Sequence, residues 1–263
     1  MNFETANFEN IRIDESHGGQ IATITLNAPP ANILSAAMMR DISDFFIEDK
    51  DCQSRKLVVI KGSGESFCFG ASVKEHRADQ VQDMLPGFHK MIANIISHPV
   101  ATMAQVSGFC LGGGFELALA CSFIFADETA KFAVPEIQLG VFPPVAAALL
   151  PILGGGTVTN EMLLTGQKFS ARSLDTLGIV TEVSAHGELQ QNINVYIEKR
   201  LLPNSASSLR FAHQAARLTL VNHYHSTITA LEKLYLDELM STFDANEGIN
   251  SFLEKRKPQW KDH

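Results

Sequence analysis

Ser107-Gly108-Phe109-Cys110-Leu111-Gly112-Gly113-Gly114-Phe115-Glu116-Leu117 is the stretch on which the fold turns. It follows Val100 to Val106, which has the length and apolar character of a buried strand closed by Ser107-Gly108. It leads into Phe115-Glu116-Leu117-Ala118-Leu119-Ala120, which reads as a helix. Three successive glycines between strand and helix leave the backbone bare, so a ligand can come close to its N–H groups. The helix dipole adds partial positive charge at the same place, which suits a developing oxyanion. A tight strand-to-helix turn that needs small residues for packing accounts for the glycines equally well. A phosphate loop does not, because the lysine and Ser/Thr of GxxxxGK[ST] are absent and the spacing is not GxGxxG.

Working outward, Phe123-Ile124-Phe125-Ala126 is a further strand, and Leu57-Val58-Val59-Ile60 is a short buried one that Gly62 and Gly64 end. Strands alternating with helices predict an α/β fold with a parallel sheet. Upstream, Ile11 and Ile13 alternate, as do Ile21, Ile24 and Leu26, with Gly18-Gly19 as the turn of a hairpin. Ser35 caps a helix carrying Met38, Ile42, Phe45 and Phe46 at helical spacing. The pattern is helical again from Lys74 to Ile96, where Pro86 is expected to break it in two. Gly154-Gly155-Gly156 reads as a helix–helix turn. After Arg200, Leu209, Ala212 and Ala216, then Ile228, Leu231, Tyr235 and Leu239, predict successive amphipathic helices with no strand between them. The predicted organisation is therefore a core domain over 1–200 and a helical region over 201–263, joined near Pro203-Asn204.

With 263 residues, 45% hydrophobic and 19% charged, the chain can build a sizeable core. A net charge of −8 argues against general nucleic-acid or membrane-surface binding. The first twenty residues, with Glu4, Glu9, Asp14 and Glu15, lack the start of a signal peptide, and no apolar window is long enough to span a bilayer. Cys52, Cys68, Cys110 and Cys121 form no CxxC pair and have no histidine at ligand spacing, so a cytoplasmic protein without a metal is expected. His223-Tyr224-His225 reads as a polar surface patch near a helix start. His76 reads as a hydrogen-bonded loop histidine, and Asp237 and Asp244 as helix-face charges without an obvious partner.

The chemistry rests on two glutamates. Glu116 sits in the first turn after the triple glycine, beside Leu-Ala-Leu-Ala, and Glu136 lies in Ala133-Val134-Pro135-Glu136-Ile137-Gln138-Leu139-Gly140. Singly, each reads first as structural: one a favourable N-terminal charge, the other a partly exposed loop residue. Together, in apolar settings and next to an oxyanion-binding turn, they match what water addition across an activated double bond requires. The loop Glu65 to Val73, which follows another buried strand, can supply a second oxyanion donor.

Gly-Ala-Ser-Val-Lys-Glu at 70–75, Gly-Phe-Cys-Leu-Gly-Gly-Gly-Phe-Glu-Leu-Ala at 108–118 and Val-Pro-Glu-Ile-Gln-Leu-Gly-Val at 134–141 resemble the crotonase (enoyl-coenzyme A hydratase/isomerase) superfamily. Asn246 to Ile249 and Phe252 to Pro258 resemble that family's ending. The resemblance implies a spiral of ββα units with a helical C-terminal region that packs a trimer, often doubled to a hexamer. It implies a coenzyme A thioester as substrate and no separate cofactor. It assigns the oxyanion N–H groups to Ala71 and Gly113 and the two catalytic carboxylates to Glu116 and Glu136. The adenine would lie near the backbone of Ala31, Asn32 and Ile33, with Phe252 and Lys255 holding adenine and phosphates, often across a subunit boundary. Arg256 and Lys257 are expected to be a solvated tail.

Two departures bear on the substrate. Ser72 stands where many relatives carry an acidic residue, and Pro143-Pro144-Val145-Ala146-Ala147-Ala148 replaces a glycine-rich segment, changing the wall expected beside Glu136. Gly-Ala-Ser-Val-Lys-Glu-His, Val-Pro-Glu-Ile-Gln-Leu-Gly-Val-Phe and Asp-Ala-Asn-Glu-Gly are similar to cyclohexa-1,5-diene-1-carbonyl-coenzyme A hydratases of aromatic degradation. A straight-chain hydratase, a double-bond isomerase and a non-catalytic acyl-thioester binder are the alternatives, the last disfavoured by the glutamate pair.

Overall fold

A computed structural model describes residues 8–263; residues 1–7, Glu4 among them, lie outside it. Strands β1 (Ile11–Ser16) and β2 (Ile21–Leu26) form the expected antiparallel hairpin. Helix α1 (Ala36–Asp49) follows, and the Ser35 hydroxyl accepts from the Met38 N–H, the capping role its position predicts. Then come β3 (Leu57–Gly62), α2 (Val81–Ile96) and β4 (Ala101–Val106). The quoted segment supplies β5 (Phe109–Leu111) and α3 (Gly113–Ala120). After it run β6 (Phe123–Asp127), β7 (Lys131–Ala133), α4 (Pro144–Leu153) and α5 (Gly155–Thr165). The chain continues through β8 (Phe169–Ser170), α6 (Ala171–Thr176), β9 (Glu182–Ser184), α7 (Leu189–Tyr196), α8 (Ala206–Lys233) and α9 (Phe243–Leu253).

The strands sort into two sheets. One runs β1-β2-β3-β4-β6-β9, parallel except for the β1 edge; the other runs β5-β7-β8. Strands β4 and β6 each belong to the first sheet, and the strand after each, β5 or β7, belongs to the second. This is the spiral of ββα turns that the resemblance implies. Strand β3 is apolar from Leu57 to Ile60, where both its faces are covered. Val58 and Ile60 face the large core under α1 and α2, while Leu57 and Val59 face a smaller one closed by Leu189 and Ile193 of α7.

Three expectations are corrected. Helix α2 runs through Pro86 unbroken, and the interruption falls earlier, between a 3₁₀ turn at Val73–His76 and Val81. A proline inside a helix costs about 3 kcal/mol, but Val81, Met84, Leu85, Phe88, Met91 and Ile92 bury one continuous face that outweighs it. The C-terminal helices expected over 209–239 are one 28-residue helix, α8, that passes into a π turn at Leu234–Glu238. His223-Tyr224-His225 lies well inside α8 rather than at a helix start, and of the expected polar patch His225 is exposed and His223 half-buried. Tyr224 is fully buried with its hydroxyl donating to His89 O at 2.9 Å, and His223 meets Ala148 O and His225 meets Ser97 Oγ, both at 3.0 Å. The Gly154 turn between α4 and α5 is as expected.

Candidate active site

Gly112 caps α3 at φ 51°, ψ −128°, a conformation open in practice to glycine alone. A Cβ there would stand 2.5 Å from Glu136 Oε1, so the missing side chain is also what lets that carboxylate in. Gly114 has to be bare for a different reason: a Cβ would fall 2.7 Å from Cys68 Sγ. The turn therefore serves packing and site together. A Cβ on Gly113 would meet Ala71 N at 3.1 Å, which puts the two expected oxyanion donors side by side. The Ala71 N–H makes no hydrogen bond among the described residues, and the Gly113 N–H is one of the free amides of a helix's first turn.

Glu116, in that first turn, is only 3% exposed. Its Oε1 accepts from the Ala146 N–H at 2.8 Å, an amide in the opening turn of α4. The segment Pro143 to Ala148 is thus the start of a helix whose dipole faces a carboxylate. It had been expected beside Glu136; Pro143 and Pro144 do line the shared cavity, but the hydrogen bond goes to Glu116. Burial pushes the Glu116 carboxyl from 4.5 up to about 7, with the Ala146 and Val145 amides pulling the other way.

Glu136 sits in a 3₁₀ turn, Pro135–Leu139, that Gly140 ends in a left-handed conformation at φ 71°. The residue is half-buried, but its Oε2 is shut away from solvent and has no hydrogen-bond partner among the described residues. Burial first, and then the Glu116 charge, raise its carboxyl well above the usual range. Both glutamates, Ala71 and Gly113 line one cavity, walled by Met84, Leu85, Phe88, Phe142 and, from the C-terminal region, Tyr235 and Ile249. His76 lines it too, while its Nδ1 meets Ser72 O at 2.9 Å.

The remaining expected site residues are elsewhere. Asn32 is fully buried at φ 47°, and its side chain is committed: Nδ2 donates to Ser63 O at 2.9 Å and Ser66 O at 3.0 Å, and Oδ1 accepts from Ser63 Oγ at 2.9 Å. Ala31 and Ile33 are half-buried and bond through backbone carbonyls, to Phe69 N and Ser35 N. Phe252 and Lys255 are exposed on the C-terminal segment and do not line the glutamate cavity. Arg256 and Lys257 are exposed, as expected, though Arg256 Nη2 also donates to Glu247 Oε2 at 2.8 Å; Asp244 is not without partners, since it accepts from the Lys261 and Asp262 N–H groups at 2.7 and 2.8 Å. Among the described residues no group of histidine, cysteine or acidic side chains could hold a metal ion, and no helix is long and apolar enough to cross a membrane.

The profile of the enoyl-CoA hydratase/isomerase family matches residues 16–263. The chain belongs to this family. As a member of it, the chain is an enzyme. It is 36% identical to a cyclohexa-1,5-dienecarbonyl-CoA hydratase of Thauera aromatica, over 92% of this chain and 93% of that protein. It is 30% identical to a carnitinyl-CoA dehydratase of Shigella flexneri, over 94% of this chain and 97% of the other. The fold is shared with an enoyl-CoA hydratase from Mycobacterium avium subsp. paratuberculosis K-10, at TM-score 0.85, 24% identity and coverage of 96% and 99%. An enoyl-CoA hydratase from Bacillus anthracis matches at TM-score 0.76, 28% identity and coverage of 97% and 100%.

Sequence reasoning missed the Ala146 amide and the Tyr235 hydroxyl. The first is backbone, which side-chain patterns do not report. The second fell on an apolar helical position and was read as packing.

Proposed function

We propose that this enzyme adds water to an α,β-unsaturated coenzyme A thioester, with a cyclic dienoyl group as its substrate. What carries the reading is one buried pair of carboxylates, Glu116 and Glu136, whose charges are coupled in a cavity that also holds the free amides of Ala71 and Gly113. Two such groups share a single negative charge near neutral pH. The Ala146 amide favours the anion on Glu116, which leaves Glu136 protonated. Glu116 then takes a proton from water as its oxygen bonds to the unsaturated carbon. The displaced electron pair moves onto the thioester oxygen, held by Ala71 and Gly113. The enolate collapses by taking the Glu136 proton at the α-carbon, and a proton passes back across the pair to reset it.

The dienoyl preference rests on the similarity to the Thauera aromatica hydratase and on Pro143 and Pro144, which line the cavity. Phe252 and Lys255 are assigned to the adenine and phosphates at the site of a neighbouring subunit in a cytoplasmic homotrimer or dimer of trimers. Their exposure away from their own cavity supports that assignment.

The test is turnover of crotonyl-coenzyme A and cyclohexa-1,5-diene-1-carbonyl-coenzyme A, followed by absorbance and mass. The expected result is a gain of water on both, with the higher kcat/KM on the cyclic diene. Glu116→Gln and Glu136→Gln should each lose at least ~10²-fold, the scale for removing a general acid or base. A double-bond shift without gain of water would make the enzyme an isomerase, and binding without turnover would make it a binder.

A further inference from the structure

We propose that the Tyr235 hydroxyl is a third hydrogen-bonding group of the reaction site, touching the oxygen that hydration places on the acyl group. This rests on the hydratase reading above but uses a residue that reading leaves idle. Tyr235 is 1% exposed, and its ring packs edge-on against Phe142, centroids 5.4 Å apart. Its hydroxyl has no hydrogen-bond partner among the described residues. A buried phenol ordinarily finds one. Tyr224 on the same helical run shows the ordinary case, its hydroxyl donating to His89 O at 2.9 Å.

A second open polar atom belongs to the same cavity, Glu136 Oε2. Two unsatisfied groups around one cavity are the complement of a small ligand group that both donates and accepts, which is the character of a hydroxyl or a water molecule. Tyr235 also lies within the π turn Leu234–Glu238. Widened turns of this kind are rare and recur where a helix serves a site. Burial and the nearby Glu136 and Glu116 charges all push the phenol upward, so it keeps its proton and acts as a donor. The attacking oxygen uses one lone pair to bond carbon and retains another that can accept from Tyr235. In the reverse reaction the same bond would hold the departing oxygen. Tyr235 neither gains nor loses a proton in either direction.

The test is Tyr235→Phe, which removes one oxygen and keeps the ring. Binding is measured for two thioesters matched except for the hydroxyl, chosen by what the wild type hydrates. The pair is the hydrated cyclic product against the cyclohexenecarbonyl-coenzyme A that keeps the same ring double bond, or 3-hydroxybutyryl- against butyryl-coenzyme A. Affinity for the hydroxylated member should fall about tenfold, the worth of one buried hydrogen bond, and affinity for its partner should stay unchanged. The Tm of the free protein should hold or rise, because an unpaired buried polar atom is lost. Equal effects on both thioesters, no effect on either, or a fall of several degrees in Tm would overturn the assignment. Those outcomes in an active wild type remove Tyr235 alone. A wild type that hydrates neither thioester overturns the hydratase reading, and this proposal with it.

Discussion

At the scale of single residues, the protein spends stability to hold two carboxylates away from water. Burial pushes the Glu116 carboxyl up to about 7 in the fold, against 4.5 for an ordinary glutamate. A carboxyl with a raised folded pKa keeps its proton longer in the native state than in the unfolded chain. The native state therefore binds more protons between pH 4.5 and about 7, and stability falls as pH rises through that window. The shift corresponds to something on the order of 3 kcal/mol. Glu116→Gln cannot ionise, so its Tm should gain on the wild type as pH goes from 5 to 8, followed by calorimetry. A gap that stays constant with pH would contradict the assignment of a buried, titrating Glu116. In kcat/KM, the acid limb should fall near pH 7, as Glu116 takes up its proton and stops accepting one from water.

At the scale of elements, two helix starts make the site. The opening turn of α3 offers the Gly113 amide, and the opening turn of α4 spends its Ala146 amide on Glu116. Gly112 ties them together, since its backbone conformation and its missing Cβ are both needed for Glu136 to approach. Gly112→Ala should cost about 1–3 kcal/mol through backbone strain and should reduce kcat by at least ~10-fold as the carboxylate is displaced. Chemical denaturation and steady-state kinetics measure the two effects; an active variant of unchanged stability would show that the turn tolerates a side chain. Elements also mark where patterns mislead. Pro86 has the signature of a break, yet α2 continues because its buried face is long.

At the scale of the whole molecule, large apolar side chains are left on the outside. Phe211 and Leu218 of α8 are 72% and 60% exposed, and Leu164 of α5 is 70% exposed. Apolar groups collected on helical surfaces suit burial against copies of the same chain. Light scattering coupled to size exclusion should give three or six times 28.8 kDa. Phe211→Asp should shift it toward the monomer by placing a charge in an apolar contact. A wild type that runs as a monomer would rule out the trimer and the cross-subunit roles of Phe252 and Lys255.

How much of this was legible depends on what each residue signals along the chain. Leu57 to Ile60 declares a buried strand by composition, and Ser35 declares a helix start by its capping hydroxyl. The triple glycine with Glu116, the Pro-Glu turn at 135–136 and their order along the chain determine the family and the pair of carboxylates, because backbone access and charge are properties of residue type. Tyr235 carries no such signal: at helical spacing a tyrosine that packs and a tyrosine that faces a cavity look the same. Only the tertiary structure decided that α8 widens there, that the α4 amides turn to Glu116, and that Asn32 knits loops together with its whole side chain. Those outcomes depend on which distant elements come to share a surface, and burial, shared charge and unmet hydrogen bonds exist only once they do.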